Sequence, residues 1–327
     1  MRLILFSIGI LPATSIWHFF FYQSYVEEFE NFIEKYNKTY ETWDDYLKAY
    51  DVFEANYVHI KNMNYKLNSF QLKINEFGDM DSYDFHINKK GLYNSSTRKT
   101  SICDSFYSSN ISLPDSVDWR TSAVTPVKNQ GQCGSCWSFS ATGAMEGAWA
   151  IETGELLSLS EQQLIDCSKR YGDFACNGGL MDNAFEYAID NGMCSESGDP
   201  YEAKADTCID CQVVAKFTDC IDVSSGNELE LKEAVSRGPV SVAIEADTKV
   251  FQFYSSGVIT SESCGESLDH GVLIVGYGEE QGQKYWLVKN SWGTSWGDEG
   301  YVKIARTDGS SDSGVCGIAL QASYPVV

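Results

Sequence analysis

Basic residues are scarce in this chain of 327 residues, which has 24 Lys and Arg against 46 Asp and Glu and a formal net charge of −22. This balance excludes a nucleic-acid binder that works through a basic patch, and it disfavours an anionic membrane surface as a partner. Residues 113–327 contain 13 basic and 32 acidic residues, a net of −19, whereas residues 1–112 contain 11 and 14, a net of −3. General solubility and adaptation to an acidic compartment both explain such a charge.

Histidine is scarcer still, with four in the chain and one, His270, after residue 112. A metal site built on several histidines is therefore excluded from this part, and we expect no metal and no cofactor. Any catalysis there by a cysteine–histidine pair must use His270. A single histidine before a strand-like run is more often structural, so its role depends on its context, Leu268-Asp269-His270-Gly271.

Long apolar runs are absent after the N-terminus, and the sequence has no internal repeats. At the N-terminus, Arg2 precedes the apolar run Leu3–Leu11 and the small residues Ala13-Thr14-Ser15, which is the order of a secretory signal peptide. We therefore predict a signal peptide over residues 1–15. The run is short for a bilayer, but Ile16–Phe21 lengthens it, so an uncleaved anchor stays open as the alternative.

Entry into the secretory pathway has consequences for the cysteines and asparagines. In an oxidising compartment, most of the 11 cysteines are expected in disulfides. Three Asn-x-Ser/Thr sequons, at Asn37, Asn94 and Asn110, agree with that route and predict a glycoprotein.

The composition of the chain changes near residue 113. Before it, the apolar residues Phe29, Phe32, Ile33 and Tyr36 follow one face of a helix, and a similar stripe predicts a second, longer helix. Residues 91–112 are polar, turn-rich and poorly periodic, which predicts an exposed linker of the kind that proteases cut.

After Leu113 the pattern predicts helices first and strands second, an α+β arrangement of two lobes with a cleft between them. One helix starts near Ser135, and a second opens with Ser158–Glu161, which has the spacing of a capping box. The remaining predicted helices are near Leu180–Asn191 and over Glu228–Arg237, and the predicted strands are Val240–Ile244, Gly271–Val275, Tyr285–Lys289 and Tyr301–Ile304.

The predicted nucleophile is Cys136, in the run Gln130-Gly131-Gln132-Cys133-Gly134-Ser135-Cys136-Trp137. A thiol attacks as its thiolate, and a helix N-terminus or a neighbouring imidazolium stabilises that anion. Cys136 lies where a glycine-containing turn meets an apolar-periodic helix. The Gln130 amide can donate to a developing oxyanion, together with the Cys136 backbone N–H.

Two other functions use this cysteine spacing. Cys133-x-x-Cys136 has the spacing of a redox motif, and with Cys208-x-x-Cys211 it has that of a zinc ribbon. The redox motif needs a preceding strand, which the pattern does not predict. Zinc needs four reduced thiolates, which an oxidising compartment disfavours, so both functions rank far below nucleophilic catalysis.

Asn290 follows the alternating strand Lys284–Lys289. Its amide oxygen can accept the second ring N–H of His270 and fix the ring without adding a buried charge, and Trp292 can cover that hydrogen bond from water. Asparagine at a strand end is usually a turn former, so this role also depends on context.

These motifs resemble the papain family of cysteine proteases, and within it the cathepsin L-like branch. Cys133–Trp137 is similar to the family's nucleophile signature, which has its histidine and asparagine well downstream. Leu113–Arg120 resembles the family's mature N-terminus, Thr125–Gly131 resembles its lead into the nucleophile, and Cys176–Asp182 resembles the cathepsin L-like wall beside the substrate backbone.

The resemblance implies a papain-like fold with a helical lobe plus a β-barrel-like lobe, preceded by a helical propeptide. It divides the chain into a signal peptide (1–15), an inhibitory propeptide with linker (16–112) and a mature peptidase domain (113–327). This chain matches the family's propeptide motifs at seven positions and departs from them at Asp45, Ala49 and Lys73. The matching residues are Phe53, Asn56, Ile60, Asn64, Asn75, Phe77 and Asp79. Autoinhibition, acid activation and altered ion pairs are expected, with a folding aid as the alternative.

By matching position, Cys136 would be acylated, His270 would transfer the proton, Asn290 would orient the ring and Gln130 would complete the oxyanion hole. A polar residue, Gln321, stands at the floor of the implied P2 pocket, where the branch usually has a small one, and would widen its tolerance. The residues implied for substrate binding are Gly178, Gly179, Leu180, Met181, Ala243, Leu268, Asp269, Trp292 and Gln321.

The resemblance also implies three disulfides, Cys133–Cys176, Cys167–Cys208 and Cys264–Cys316, which leave Cys136 free. Cys194, Cys211 and Cys220 are additional. We expect Cys194 to pair with Cys211 and Cys220 to be a buried, unpaired residue, while Cys103 belongs to the linker.

We therefore predict the zymogen of a cysteine endopeptidase that is active in acidic compartments and prefers a hydrophobic P2 residue. The expected partners are protein and peptide substrates and its own propeptide as an inhibitor, with no nucleic acid, no membrane after signal removal, and a monomeric state. The expected location is a lysosome-like or digestive vacuole, or the cell exterior. A non-catalytic binding homologue and a transpeptidase are the alternatives.

Overall fold

The computed structural model describes residues 13–66, 69–89, 91–92, 102–109, 112–260 and 263–327, with the backbone alone for residues 13–24 and 88. The predicted signal peptide lies outside the described residues except for its last three, and the sequons at Asn94 and Asn110 lie outside them. Asn37 is exposed. No helix within the described ranges is both long and apolar enough to cross a membrane.

Two long helices pack on each other through aromatic rings before residue 113. α1 spans Ala13–Tyr36 and α2 spans Trp43–Tyr65, so both predicted helices are present. α2 begins with a capping box, in which Thr42 and Asp45 each accept the other's backbone N–H and so satisfy amides that the first turn leaves open. The rings buried between the helices are Phe29, Phe32, Tyr50 and Phe53.

Asparagines of α2 tie it to the segment that follows. β1 spans Phe70–Leu72, and the Asn64 amide bonds both backbone groups of Leu72. Asn56 is buried and donates to the carbonyls of Gly78 and Met80, at 3.0 Å each. These bonds turn the chain towards α3 (Ser82–Lys89), and the two-residue β2 (Asp104–Ser105) comes later.

Apart from a two-residue strand at Val117–Asp118, helices come first after residue 113, as predicted. α4 (Cys136–Thr153) is central and buried along most of its length, and α5 (Glu161–Cys167) and α6 (Met181–Asn191) pack around it. A 3-10 turn, Ser168–Tyr171, follows α5. β4 (Met193–Cys194) and β5 (Val213–Ala215) form a separate small sheet.

A ten-stranded sheet makes up the other side of the fold. Its further strands and adjoining helices are β3 (Val117–Asp118), β6 (Asp219–Val223), α7 (Glu228–Arg237), β7 (Val240–Ile244), α8 (Lys249–Phe253), β8 (Tyr254–Ile259), β9 (His270–Glu280), β10 (Gln283–Lys289), β11 (Tyr301–Ala305) and β12 (Ala322–Val326). The order is β1-β8-β11-β10-β9-β7-β12-β6-β2, with β3 paired to β9. Both end strands, β1 and β2, therefore come from before residue 113.

Six of residues 102–109 are exposed, as predicted for residues 91–112, but the prediction that they serve only as a linker is wrong. β2 pairs in parallel with β6, and Phe106 is 7% exposed in the apolar core of the sheet. Cys220, on β6, forms a disulfide with Cys103, so the prediction that Cys220 is unpaired is also wrong. The pattern missed this contact because a strand of two residues has no readable period and the two cysteines are 117 residues apart.

The helices and the sheet meet along α4 and β9. Ser140 Oγ donates to the carbonyl of Val272 at 2.7 Å, and Ser241 Oγ donates to that of Ser140 at 2.8 Å. A side chain at Gly143 would come within 2.7 Å of Leu273, so the helix approaches the strand closely. The predicted α+β class is confirmed, and this contact brings the starts of α4 and β9 together.

Candidate active site

Cys136 is the first residue of α4 and follows a turn in which Gly131 has a φ of +61°. It is fully buried and, among the eleven cysteines, is the one outside a disulfide. Its sulfur accepts the backbone N–H of Gly271 at 3.2 Å. The helix N-terminus favours a thiolate, yet burial raises the pKa of this thiol to about 12. Burial therefore opposes the thiolate that the helix N-terminus favours.

Neither Cys-x-x-Cys pair can serve redox chemistry or zinc. Cys133 is bonded to Cys176, Cys208 to Cys167 and Cys211 to Cys194. With Cys264–Cys316 and Cys103–Cys220 the chain has five disulfides, which include the four expected pairs.

One group among the described residues has metal-ligand spacing. Cys103, Asp182 and Asp222 place ligand atoms within 4.8 Å of one another. The Cys103 sulfur is bonded to Cys220 and has no thiolate to offer, and Asp182 accepts the Ser323 hydroxyl at 2.6 Å. The group therefore gives no argument for a metal.

The His270 ring is held by Asn290. His270 opens β9, Asn290 follows β10, and Nε2 lies 2.7 Å from Asn290 Oδ1. That oxygen also accepts the Ser291 backbone N–H at 2.8 Å, which fixes the amide with its oxygen towards the ring. Since Oδ1 can only accept, Nε2 carries the proton and Nδ1 is the basic nitrogen.

Trp292 covers this pair. Its ring lies 4.7 Å from the His270 ring, centroid to centroid, and both side chains are fully buried. A hydrogen bond shielded from water is stronger than an exposed one, so the covering indole stabilises the ring orientation.

The Gln130 amide is also fixed in orientation. Its Oε1 accepts the Ser291 hydroxyl at 2.7 Å and the Trp292 indole N–H at 3.2 Å. The indole can only donate, so this atom is the oxygen. Nε2 donates to the Cys133 carbonyl at 3.0 Å, which places it beside the turn that leads to Cys136.

Gly178 and Gly179 form a wall that requires glycine. Gly178 has a φ of +111°, and a side chain at Gly179 would lie 2.6 Å from the Trp137 ring. Asp173 holds this wall, because its carboxylate accepts the Leu180 backbone N–H at 2.9 Å. Burial raises the pKa of Asp173 to about 7. Sequence reasoning missed Asp173, since an isolated aspartate in a loop carries no pattern.

The residues expected to form the P2 pocket are mostly brought together. Met181, Ala243 and Leu268 belong to one apolar cluster on the helical side of the cleft. The Ala243 N–H donates to the Gln321 carbonyl at 3.0 Å, which places the half-buried Gln321 beside them. Leu180 is half-buried at the start of α6, outside that cluster.

A short segment from before residue 113 lies along this wall. The Gly179 N–H donates to the Gly91 carbonyl at 3.0 Å, and the Leu92 N–H donates to the Asp269 carbonyl at 3.2 Å. A side chain at Gly91 would lie 2.1 Å from the Gly134 carbonyl oxygen. Residues 91–92 therefore occupy the space between the glycine wall and Asp269.

Lys89 anchors this segment from the end of α3. Its ammonium donates to the Gly131 carbonyl at 2.7 Å and lies 4.7 Å from the centroid of the Phe77 ring. Burial lowers the pKa of Lys89 to about 8. The segment is thus fixed beside the turn that precedes Cys136.

A buried charge cluster lies behind the site. Lys128 Nζ contacts Glu161 at 2.7 Å and Glu146 at 3.1 Å, and the Thr142 hydroxyl donates to Glu161 at 2.6 Å. Burial raises the pKa of Glu161 to about 7. The predicted capping box is wrong, because Ser160 caps α5 and Glu161 turns inward to Lys128.

Comparison with known proteins gives matches over nearly the whole chain. Residues 113–326 match the family described as papain family cysteine protease, and residues 29–85 match the cathepsin propeptide inhibitor domain (I29). Digestive cysteine proteinase 2 of Homarus americanus is 46% identical over 91% of this chain and 94% of its own. Cathepsin L of Sarcophaga peregrina is 48% identical over 79% of each chain.

Solved structures are similar over the same extent. Digestive procathepsin L 3 from the larval midgut of Tenebrio molitor superposes with a TM-score of 0.85 at 42% identity, covering 93% of this chain and 99% of that one. A recombinant stem bromelain precursor gives a TM-score of 0.85 at 39% identity, with the same coverage.

Proposed function

Because the chain belongs to the papain family of cysteine proteases and carries a cathepsin propeptide inhibitor domain, we propose that Cys136 is its nucleophile, His270 its general base and Asn290 the residue that orients the base. One observation carries this proposal: the Asn290 oxygen accepts from both His270 and Ser291, beside the one thiol outside a disulfide. His270 Nδ1 is then the nitrogen that takes the proton.

The reaction proceeds through a thioester. Cys136 Sγ attacks the carbonyl carbon of the scissile bond while His270 accepts the thiol proton. Gln130 Nε2 has two hydrogens, one on the Cys133 carbonyl, and the other stabilises the oxyanion together with the Cys136 backbone N–H. His270 returns its proton to the leaving amine as the C–N bond breaks. A water molecule, deprotonated by His270, then hydrolyses the thioester and restores the thiol.

The N-terminal region inhibits by occupying the substrate wall. Residues 91–92 bond the Gly179 N–H and the Asp269 carbonyl, the backbone groups with which an extended peptide would pair. Phe77 and Phe85 pack edge-on against Trp292, which covers the catalytic hydrogen bond. A substrate reaches Cys136 only after this region has left.

We propose that the mature domain starts near Leu113 and acts as an endopeptidase in an acidic compartment of the secretory route. Five disulfides fit an oxidising passage. Burial raises the pKa values of Asp173 and Glu161, so these two carboxyl groups contribute stability that is present in acid and lost as the pH rises towards 7. Two of the similar proteins are named as digestive enzymes, one of them from a larval midgut.

The test of the catalytic assignment compares the purified precursor with its Cys136→Ala variant at mildly acidic pH with reductant. Chain length and cleavage of a Phe-Arg peptide are followed together. We expect the wild type alone to shorten to a species that starts near Leu113 and to cleave the peptide. Shortening of both proteins without cleavage would assign the chain to the non-catalytic binding homologues.

We further propose that the P2 pocket takes Leu, Phe or Val and, through Gln321, also tolerates polar side chains. Met181, Ala243 and Leu268 supply the apolar surface, and Gln321, whose backbone carbonyl bonds Ala243, would supply a hydrogen-bonding side-chain amide beside them. A P2 library read out as kcat/KM tests this, with Gln321→Ala as the matched variant. A strict Leu/Phe preference in the wild type would contradict the role of Gln321.

A further inference from the structure

Residues 102–109 precede Leu113 but pack as part of the region that follows it. The Phe106 N–H donates to the Asp222 carbonyl at 2.8 Å, which continues the pairing of β2 with β6. The Phe106 side chain is buried in the core of the sheet, and the Arg237 guanidinium lies 4.9 Å from its ring centroid. This segment therefore adds an edge strand to the sheet of residues 113–327, the part of the chain that we call the catalytic unit.

A covalent bond fixes the same segment. Cys103 is bonded to Cys220, which is fully buried on β6 and pairs across the sheet with Pro325 of β12. The bond joins the edge strand to the strand beside it, so it holds even when the chain between residues 109 and 113 is broken.

A third contact withstands mild acid. Glu233 accepts the Ser108 hydroxyl at 2.7 Å and the Ser109 backbone N–H at 2.9 Å, and it pairs with Arg237. Although burial opposes it, hydrogen bonds from Ser109, Ser108 and Arg237 lower the pKa of Glu233 to about 2. A carboxylate with a lowered folded pKa keeps its contact above its ordinary pKa and loses it only as the pH falls towards the folded value. The acidity that favours activation leaves this segment in place.

We propose that Cys103 is a covalent attachment site that keeps the inhibitory region on the catalytic unit after the chain is cut near Leu113. The proposal rests on the proposed inhibition by residues 91–92 and adds a second requirement to it. Such a cut breaks one peptide bond, but the Cys103–Cys220 disulfide bridges it. The part of the chain before the cut, which includes residues 91–92, therefore stays near the cleft at an effective concentration of the order of millimolar. The cut alone leaves the cleft covered.

Release then needs a dithiol reductant. One thiolate of the dithiol attacks a sulfur of the Cys103–Cys220 bond, forms a mixed disulfide and frees the other cysteine. The second thiolate of the dithiol displaces the remaining cysteine, so the dithiol becomes a cyclic disulfide and both cysteines take up a proton. Activation thus combines hydrolysis of a peptide bond with a two-electron reduction, separate from the need for a reduced Cys136.

The experiment uses the full chain with Cys136→Ala, which cannot cut itself, and a recognition sequence for a site-specific protease inserted between Ser109 and Leu113. After cutting, the protein is diluted about 1000-fold at mildly acidic pH without reductant. Intact mass and size-exclusion elution report whether the N-terminal fragment is retained, and binding of a fluorescent Phe-Arg peptide reports whether the cleft is open. Addition of a dithiol follows.

We expect one particle without peptide binding before the dithiol, and separation of the fragment with peptide binding after it. The matched control adds Cys103→Ser and Cys220→Ser to the same protein, and its fragment should separate without dithiol. The melting temperature of this control is measured with and without dithiol. An unchanged value shows that reduction of the other disulfides does not cause the separation. Separation of the native pair without dithiol, or retention after dithiol, would overturn the proposal. If the control variant fails to fold, the native protein with and without dithiol decides alone.

Failure of the proposed function would look different. If residues 91–92 do not inhibit, the peptide binds the cut protein before dithiol while the fragment is still retained by mass. Loss of the fragment without dithiol, in contrast, contradicts the attachment site whatever the cleft does.

Discussion

The regions before and after Leu113 both reach the cleft, but they bring different chemistry to it. The region after Leu113 supplies polar groups in fixed orientations, since Asn290 and Gln130 each hold their amide oxygen with two donors. The region before it supplies aromatic rings and bare backbone, with Phe85 5.2 Å from Trp292 and Gly91 bonded to the wall. The comparison teaches that the proposed reacting groups are already held in fixed orientations while the N-terminal region covers them.

The largest expected effect comes from a change in the polar groups of the region after Leu113. His270→Ala should lower kcat/KM on a Phe-Arg peptide by about 10⁴-fold or more, because the Cys136 thiol loses its base. The variant is activated in trans and assayed after removal of the N-terminal region. Lys204→Ala, at an exposed residue of the region after Leu113, is the control and should leave kcat/KM unchanged. A residual activity above one tenth in His270→Ala would contradict the assignment.

The buried charges behind the site should be the next most sensitive. Lys128→Met leaves Glu146 and Glu161 without their cation, and breaking a buried pair in this way should lower the free energy of unfolding by about 3–5 kcal/mol. Urea denaturation measures the change. Lys204→Met, which removes an exposed ion pair, is the control and should have little effect. Equal effects from both variants would show that the cluster is not a structural element of this region.

The stability of the region after Leu113 should depend on pH through Asp173. The pKa of Asp173 is raised by burial to about 7, so its folded form keeps a proton that the unfolded chain loses at lower pH. Stability is then greatest below the ordinary carboxyl pKa and falls as the pH rises to 7, by at most about 4 kcal/mol. Asp173→Asn should flatten that slope in urea denaturation between pH 4 and pH 7. An identical slope in both proteins would sink this explanation.

The smallest expected effect comes from a change in residues 91–92, which cover the cleft. Gly91→Val places a side chain against the Gly134 carbonyl oxygen, so the covering segment should bind less tightly by about 2 kcal/mol, roughly 30-fold. The rate of alkylation of Cys136 in the intact zymogen should rise by that factor. Tyr83→Ala, at a residue of the same region that is 72% exposed, is the control. No change in the glycine variant would mean that residues 91–92 do not limit access.

The sequence predicted the helix–strand order, and it pointed to the four proposed catalytic positions, because those signals lie within short stretches or motifs of the chain. Cys136 follows a glycine turn, and Asn290 follows an alternating strand, so each is readable within about ten residues. The contacts that were missed join distant parts of the chain. Asp173 acts through the Leu180 amide, and Glu161 turns towards Lys128, which no periodicity encodes.

The linker between the two regions shows the same limit most clearly. Residues 102–109 form a short segment whose apolar residues, Ile102, Phe106 and Tyr107, follow no helix or strand period, so the sequence predicts no element there. Their structure comes from contacts with distant parts of the chain: the pairing of β2 with β6, the burial of Phe106, a disulfide to Cys220 and hydrogen bonds to Glu233. The periodicity of the sequence cannot predict the structure of such a segment, because the residues that it contacts lie more than 100 residues away.

The central claim is that the N-terminal region covers a site already assembled, and alkylation of Cys136 at pH 6 tests it most directly. Burial raises the pKa of this thiol to about 12 in the zymogen, so the account predicts almost no alkylation before the N-terminal region is removed. After removal it predicts rapid alkylation in the wild type, and slow alkylation in His270→Ala. Equal rates before and after removal, or rapid alkylation without His270, would contradict the account.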